Sequence, residues 1–389
     1  MNIKELDQTY VAGTYARFPL QIVKGNGSVV TDEKGKEYID LGTGIAVNTF
    51  GVSDEAWVEA VIAQLKTLQH TSNLYYTEPC ARLAHMLCER TGMKKVFFSN
   101  SGAEANECAI KTARKYAENT YGSARQHIVT LKNSFHGRTI TTLAATGQDT
   151  FHQDFLPLTE GFLYATPNDC DEITRLLSQG NVAAVLFEVV QGEGGVNPLD
   201  HSFVQTMVSL AKEHDILLLA DEVQCGNGRT GELFGYMHYG ITPDIVSTAK
   251  GLGGGLPLGA TLLGTNVQDV LTPGSHGSTF GGNPVCCAGA INMVSRLDRT
   301  LLDEVKEKSN FIRRELTGVR GVKSVSGLGL MLGVETEKDA GEIIRLCMDQ
   351  GVLVIKAKNK IRLLPALNIP WDLLKRALSV LKEACATET

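Results

Sequence analysis

Short apolar runs alternate with helical patterns through the middle of the chain. Between about residues 51 and 285, apolar segments such as VAAVLFEVV and ILLLADEV lie next to helix-period segments such as HSFVQTMVSLAKEHD. Strands that read as continuous apolar runs, separated by helices, are typical of a mainly parallel sheet covered by helices on both faces. We therefore predict an α/β domain over this range.

The two ends of the chain follow other patterns. Residues 1 to about 50 suggest short strands, with Gly-rich turns at 25–27 and 34–36. Beyond Gly289 the pattern predicts a helix at 300–317, strands at 322–335, a helix at 339–350, strands at 352–364 and a last helix opened by Pro370. We predict a large domain at 51–285 and a smaller α+β domain at 286–389, joined by the N-terminal segment 1–50.

Composition and charge favour small-molecule chemistry over other functions. The 389 residues are 43% hydrophobic and carry a formal charge of −6, without a basic cluster that would indicate nucleic acid as a partner. Apolar stretches fall far short of the ~20 residues that cross a bilayer. MNIKELDQTY lacks the apolar core of a signal peptide, so we expect no membrane and a cytoplasmic location. The nine His show no metal-binding spacing, and we assign no metal.

One segment is suited to binding a phosphate group. The strand KVFF ends at Ser99, and SNSGAEAN leads at once into an Ala-rich helix. A helix N-terminus directs backbone N–H groups and the positive end of the helix dipole at one point, which favours an anion. The alternative is an ordinary N-cap, because Ser and Asn are common there.

Two further strand ends carry charged residues that packing does not explain. Asp221 ends the apolar strand LLLAD, and Lys250 ends DIVSTAK directly before a Gly-rich turn. A desolvated lysine amine of lowered pKa is a nucleophile toward carbonyl groups. A helix cap or metal ligand is the alternative for Asp221, and an ordinary surface position is the alternative for Lys250.

Five motifs in order resemble one enzyme family. SNSGAEANE, FHGRT, LLLADEVQCGNGRTG, TAKGLGGGLPLGA and HGSTFGGNP are similar to the class III aminotransferases of fold type I, in the acetylornithine/ornithine aminotransferase branch, from about Tyr15 to the C-terminal helix. The resemblance implies pyridoxal 5'-phosphate as cofactor, an α/β large domain with a mainly parallel seven-stranded sheet, a smaller α+β domain and a homodimer with shared active sites. It also implies transfer of the terminal amino group of N2-acetylornithine to 2-oxoglutarate, which becomes glutamate.

The resemblance also assigns roles to individual residues. Lys250 would bond the cofactor and shuttle the proton, and Asp221 would hold the ring N–H. The other cofactor-binding residues are Gly102 and Ala103 at the phosphate, Phe135 and Val223 on the ring faces, Glu222, Gln224 at the phenolic oxygen, and Thr279, which reaches the phosphate of the neighbouring subunit. Ser278 joins the substrate-binding set.

Two arginines are candidates for the substrate's carboxylates, because a guanidinium binds a carboxylate bidentately. The resemblance implies that Arg362 receives the carboxylate beside the reacting carbon of glutamate or 2-oxoglutarate. It implies that Arg138 receives a carboxylate at the far end and that Glu193 is the partner of Arg362. The alternative for either arginine is a salt bridge within its domain.

The chain departs from the family at one turn, and the substrate has alternatives. Many members carry GHSHP where this chain has Gly51-Val52-Ser53-Asp54-Glu55, a change that we expect to affect a turn only. Ornithine, succinylornithine and 4-aminobutyrate aminotransferases and glutamate-1-semialdehyde aminomutase are the other enzyme candidates. A cofactor-binding regulator without catalysis is the non-enzyme alternative, and the intact Lys250, Asp221 and Arg138 argue against it.

Overall fold

The structure is a computed structural model that describes residues 1–386. Its helices are α1 (Ile3–Tyr10), α2 (Thr43–Ala46), α3 (Glu55–Thr67), α4 (Glu78–Thr91), α5 (Gly102–Tyr121), α6 (Ile140–Ala145), α7 (Cys170–Leu177), α8 (His201–His214), α9 (Pro284–Ser295), α10 (Arg299–Leu316), α11 (Ala340–Asp349) and α12 (Trp371–Ala386). Short 3-10 turns occupy Gly122–Ala124, Asp149–Phe151, Gly235–Tyr239 and Lys250–Leu252.

The strands follow in chain order. They are β1 (Ile22–Asn26), β2 (Val29–Asp32), β3 (Glu37–Asp40), β4 (Lys95–Ser99), β5 (His127–Leu131), β6 (Phe162–Ala165), β7 (Val182–Phe187), β8 (Val190–Gln191), β9 (Asn197–Pro198), β10 (Leu217–Asp221), β11 (Ile245–Thr248), β12 (Gly259–Leu263), β13 (Val322–Leu328), β14 (Met331–Thr336), β15 (Val352–Leu353), β16 (Ile355–Ala357) and β17 (Lys360–Leu363).

The central sheet has seven strands in the order β4-β12-β11-β10-β7-β5-β6, which confirms the predicted mainly parallel α/β fold. β11, β10, β7, β5 and β6 pair in parallel. β12 runs antiparallel to both β4 and β11, so β4 points the same way as the parallel strands. The carboxyl ends of six strands therefore meet at one edge, where ligands bind in open α/β sheets.

Burial explains why these segments form strands and helices. β7 lies inside the sheet, between β10 and β5, with all six residues buried, as its unbroken apolar run VAAVLF predicts. On α5, Ala105, Ala109, Ala113 and Ala117 recur every four residues and are all buried. These small side chains let the helix lie close to the sheet. Ser101 caps the helix by accepting a hydrogen bond from the Glu104 N–H at 3.2 Å.

The C-terminal part contains a four-stranded antiparallel sheet in the order β13-β14-β17-β16, together with α10, α11 and α12. The N-terminal strands form a second sheet, in which β3 pairs in parallel with β15. The N-terminal segment thus lies beside C-terminal strands. The division at about residues 50 and 285 stays a prediction, and residues 387–389 of the predicted third range lie outside the described chain.

The prediction of strands throughout residues 1–50 is wrong at two places. Ile3–Tyr10 is a helix, closed at its start by reciprocal hydrogen bonds between Asn2 and Glu5. Thr43–Ala46 is a single turn in which every residue has positive φ, including the β-branched Thr43 at 47° and Ile45 at 64°. Such backbone costs on the order of 1–3 kcal/mol per non-glycine residue and often occurs at functional sites. The turn leads into Val47, which lines the cleft described below.

Residues 1–386 contain neither a membrane-spanning helix nor a cluster of metal-binding side chains. No helix in this range is long and apolar enough to cross a membrane. No group of three or more His, Cys, Asp or Glu side chains in the same range is placed to hold a metal ion.

Candidate active site

A cleft of about 460 Å³ opens at the carboxyl edge of the central sheet. It lies where β4, β10 and β11 end, and its lining brings together residues as far apart in the sequence as Val47 and Leu258. The sequence-predicted residues that line the cleft are Gly102, Ala103, Phe135, Arg138, Asp221, Val223, Gln224 and Lys250.

One wall of the cleft is the N-terminus of α5. The amides of Gly102 and Ala103 belong to the first turn and so have no acceptor within their own helix. A Cβ on Gly102 would lie 2.6 Å from Val223 Cγ1, so only glycine lets the helix approach this residue so closely. The two amides and the helix dipole can therefore hold an anion such as a phosphate group in the cleft.

Asp221 provides a buried carboxylate at the end of β10. Its Oδ2 accepts hydrogen bonds from Asn106 Nδ2 and His136 Nδ1, both at 2.8 Å. Its Oδ1 accepts one from the Val223 N–H at 3.0 Å. Asn106 is held in turn by Ser247 Oγ, which donates to its Oδ1 at 2.5 Å. These donors satisfy the buried charge and fix its position.

Lys250 begins the short turn after β11 and points its amine into the cleft. Burial lowers the pKa of the Lys250 amine; the nearby Arg362 acts in the same direction, while Glu193, Asp221 and Glu188 oppose it. The backbone of Lys250 has a φ of 46°, in the left-handed region that few non-glycine residues adopt. A lysine held in this way has a larger fraction of neutral, nucleophilic amine than a lysine in water.

Glu188 adds a second buried carboxyl group to the cleft. It accepts a hydrogen bond from the Phe135 N–H at 2.9 Å. Burial, and then the charge of Asp221, raise the pKa of Glu188 well above its ordinary value. Protonation of Glu188 is therefore easier than protonation of a glutamate in water.

Phe135 and Arg138 form the outer wall. The Phe135 ring is half-buried and meets the Phe151 ring edge-on, with centroids 5.6 Å apart. The exposed Arg138 guanidinium lies 5.9 Å from the Phe135 centroid and 5.6 Å from that of Phe151. Within residues 1–386 Arg138 forms no ion pair, so its guanidinium is available to a ligand carboxylate.

Glu193 and Arg362 form an ion pair next to the cleft. Arg362 Nη1 lies 2.6 Å from Glu193 Oε1, and Nη2 lies 3.4 Å from Oε2. Nη1 also donates to Gln224 Oε1 at 3.1 Å, which ties the pair to the cleft wall. Burial raises the pKa of Glu193, but the charge and hydrogen bond of Arg362 more than offset this, and the pKa is lowered.

Besides Glu193 and Arg362, three further predicted residues do not line this cleft. Glu222 is fully buried outside the cleft. Its carboxyl accepts hydrogen bonds from the Gly235 and Tyr236 N–H groups at 2.7 and 2.8 Å. The assignment of Glu222 to the cofactor is therefore corrected, since its carboxyl is used by the backbone of a turn. Ser278 accepts a hydrogen bond from Asn100 Nδ2 at 3.1 Å, and Thr279 is exposed.

Sequence reasoning missed three members of the site, namely Asn106, His136 and Glu188. Asn106 and His136 stand inside the motifs SNSGAEAN and FHGR, but their contact with Asp221 depends on how distant strands meet. Glu188 had a sequence signal, because a carboxylate directly after the fully apolar run VAAVLF needs a partner.

Comparison with known proteins places the chain in a family. The family model Aminotransferase class-III matches residues 10–385. An acetylornithine aminotransferase of Haemophilus ducreyi is 51% identical over 98% of each chain. A solved N-acetylornithine aminotransferase of Stenotrophomonas maltophilia is 35% identical, with a TM-score of 0.84 over 98% of each chain.

A solved ornithine aminotransferase of Toxoplasma gondii adds evidence about the cofactor. It is 31% identical with a TM-score of 0.94, covering 98% of this chain and 93% of its own, and is described as having PLP at partial occupancy in its active site. Taken with the match over residues 10–385, these similarities show that the chain belongs to the class III aminotransferases, a family of pyridoxal-phosphate-dependent transaminases.

Proposed function

We propose that the protein transfers the terminal amino group of N2-acetylornithine to 2-oxoglutarate, giving N-acetylglutamate 5-semialdehyde and glutamate, a step of arginine biosynthesis. The observation that carries this proposal is the Glu193–Arg362 ion pair beside Lys250. A pocket that accepts substrates with and without a carboxylate beside the reacting carbon needs such a replaceable partner. The names of the relatives support the same donor and acceptor.

The residues of the cleft fit pyridoxal phosphate. Gly102 and Ala103 offer amides without helical acceptors to the phosphate, and Asp221 offers a fixed carboxylate to the ring nitrogen. Val223 and Phe135 would cover the two ring faces, and Gln224 would bind the phenolic oxygen. When bound, the cofactor supplies an electron sink that allows an amino group to be exchanged.

Lys250 performs the proton transfers in this proposal. Its amine of lowered pKa would hold the cofactor through the cofactor's carbonyl carbon. Lys250 Nζ would also accept the proton from the substrate carbon that carries nitrogen and return it as a general acid. The Asp221 carboxylate would hold the ring N–H.

The two arginines hold the substrates. Arg138 binds the carboxylate at the far end of each substrate. Its exposed guanidinium is held at the outer wall of the cleft, over the rings of Phe135 and Phe151. Arg362 binds the carboxylate beside the reacting carbon of glutamate or 2-oxoglutarate. Its buried Nε has no hydrogen-bond partner within residues 1–386, so a further acceptor can bind there. With acetylornithine, Glu193 stays on Arg362 and neutralises it.

A homodimer with shared active sites is part of the proposal. Asn73 Nδ2 donates to the backbone oxygens of Ser278 and Gly281 at 3.0 and 2.9 Å, which joins two loops into one surface. On this surface the rings of Tyr76 and Phe280 are largely exposed, at 106% and 59%. Aromatic side chains left in this position are suited to a second copy of the chain, which would bring Thr279 to the neighbouring phosphate.

The first prediction concerns Lys250. Borohydride should fix the cofactor to Lys250 and to no other lysine, because this amine lies in the cleft and has a lowered pKa. Peptide mass spectrometry of the reduced holoenzyme measures this, and the buried Lys308 is an internal control. Lys250→Ala should abolish turnover but still bind the cofactor noncovalently. Full activity of Lys250→Ala would contradict the assignment.

The donor is tested with a panel of amines. The purified holoenzyme with 2-oxoglutarate should show its highest kcat/KM with N2-acetylornithine, compared with ornithine, succinylornithine and 4-aminobutyrate, with glutamate formation as the readout. Preference for another amine would replace the donor. Isomerisation of glutamate-1-semialdehyde without an acceptor would indicate an aminomutase, and no turnover by protein that holds its cofactor would indicate a regulator.

Shared sites are tested with mixed dimers. A Lys250→Ala chain paired with a Thr279→Ala chain should form one intact site and recover up to about half of wild-type activity, because each Thr279 serves the neighbouring Lys250. The matched control pairs the double variant with a wild-type chain and should contain two singly defective sites. The opposite ranking of the two mixtures would place Thr279 in its own chain's site.

The ion pair is tested by separating the half-reactions. Glu193→Ala should slow the acetylornithine half-reaction about 10- to 100-fold, since a buried guanidinium then faces methylenes without a partner, and should spare the glutamate half-reaction. Arg362→Ala should do the reverse, and Arg138→Ala should slow both. Single-turnover absorbance measures each rate, with Glu193→Gln as the isosteric control. Equal slowing of both half-reactions by Glu193→Ala would contradict the model.

A further inference from the structure

Glu193 and Arg362 belong to separate sheets of the protein. Glu193 stands in the tight loop 192–196, between the short strands β8 and β9. Arg362 stands in β17, paired with Gly333 of β14 and Ile355 of β16. Its strand is fixed on both sides by sheet hydrogen bonds. The position of Glu193 depends instead on what holds the loop against that sheet.

Asn197 contacts both sides of this junction. Its Nδ2 donates to the Gly194 backbone oxygen at 3.0 Å, which closes the loop beside Glu193. Its Oδ1 accepts a hydrogen bond from Lys360 Nζ at 2.9 Å. Lys360 lies two residues before Arg362 on β17 and therefore on the same face of the strand. The Asn197 side chain thus links the loop that carries Glu193 to the strand that carries Arg362.

Packing around Lys360 and the loop supports this link. Lys360 Nζ also donates to Ser326 Oγ at 2.9 Å, so the amine is held from the sheet side. A Cβ on Gly333 would lie 2.9 Å from Val196 Cβ and 3.2 Å from Lys360 Cδ. The loop and the lysine stem therefore meet over the same glycine. Lys360 is partly buried at this junction, and burial lowers the pKa of its amine.

A second contact of the same type lies on the other side of the loop. Lys358, in the turn between β16 and β17, donates to Asn133 Oδ1. A Cβ on Gly194 would lie 2.5 Å from the Asn133 backbone oxygen, so the loop rests directly on this residue. Asn133 itself has a φ of 66°. The Glu193 loop is therefore held between two asparagines, each bonded to a lysine near Arg362.

We propose that Asn197 and Lys360 are positioning residues that hold Glu193 against Arg362 and so set how readily a substrate carboxylate displaces it. This inference rests on the proposed function, because it concerns the carboxylate site of glutamate and 2-oxoglutarate. Neither residue touches the substrate. Loosening their contact moves Glu193 more than Arg362, because β17 keeps its sheet partners.

The test uses glutarate, a dicarboxylate that carries no amino or keto group and cannot react. Asn197→Ala and Lys360→Met holoenzymes should bind glutarate about 3- to 10-fold more tightly than wild type. Each variant loses the hydrogen bond between Asn197 and Lys360, so a carboxylate of glutarate displaces Glu193 from Arg362 at a lower free-energy cost. The acetylornithine half-reaction should slow by a similar factor while the glutamate half-reaction is spared. Calorimetric titration and single-turnover absorbance measure the two effects.

Matched variants separate positioning from general stability. Lys323→Met removes an exposed lysine of the same sheet, on β13, and should leave both quantities unchanged. Asn197→Asp keeps the acceptor for Lys360 but loses the donor to Gly194, and should fall between wild type and Asn197→Ala. Because the two residues act through one contact, the Asn197→Ala/Lys360→Met pair should be no worse than the stronger single variant.

The outcomes distinguish this inference from the proposed function. Unchanged glutarate affinity in both variants, or equal slowing of both half-reactions, would overturn the positioning role alone. Wild-type holoenzyme that does not bind glutarate would overturn the proposed function, and with it this inference. Tighter glutarate binding together with a slower acetylornithine half-reaction supports both.

Discussion

The buried carboxylate of Asp221 constrains the whole active-site region. A carboxylate in this position is costly unless donors surround it, and its donors come from α5 through Asn106, from the loop after β5 through His136, and from its own turn. Satisfying one charge therefore fixes a helix, a loop and a strand end relative to each other. The amides at the start of α5 and the ring of Phe135 take their places as a consequence.

The electrostatics of the cleft follow from this constraint. Two buried carboxyl groups close together do not both ionise readily, and burial together with Asp221 raises the pKa of Glu188. Glu188 has one backbone donor, from Phe135, whereas Asp221 has three, from Asn106, His136 and Val223. Burial lowers the pKa of Lys250 and so favours its neutral amine. One desolvated cleft thus maintains a fixed anion and a nucleophilic amine together, as amino transfer requires.

Local patterns and motifs were sufficient for the fold and for most of the cleft. Unbroken apolar runs predicted strands such as β7, and Lys250 and Asp221 stood at strand ends where packing did not explain them. The antiparallel β12 and the link between His136 and Asp221 were not predictable, since both depend on which distant strands become neighbours. Glu222 was assigned to the cofactor from the motif alone, and its place outside the cleft depends on hydrogen bonds from the Gly235 and Tyr236 backbone, which the sequence does not show.

The proposed carboxylate site lies between two parts of the fold, and this arrangement would let its chemistry change during one reaction. Arg362 is 2% exposed, so leaving its guanidinium without a negative partner is costly. Glu193 is that partner in the structure, and in the proposed function a substrate carboxylate replaces it. Glu193 stands on a short loop, whereas Arg362 stands on a strand paired on both sides. In the proposed function, Glu193 can therefore move away while Arg362 stays in place. A site built on a single rigid element would bind either a carboxylate or methylenes well, but not both in turn.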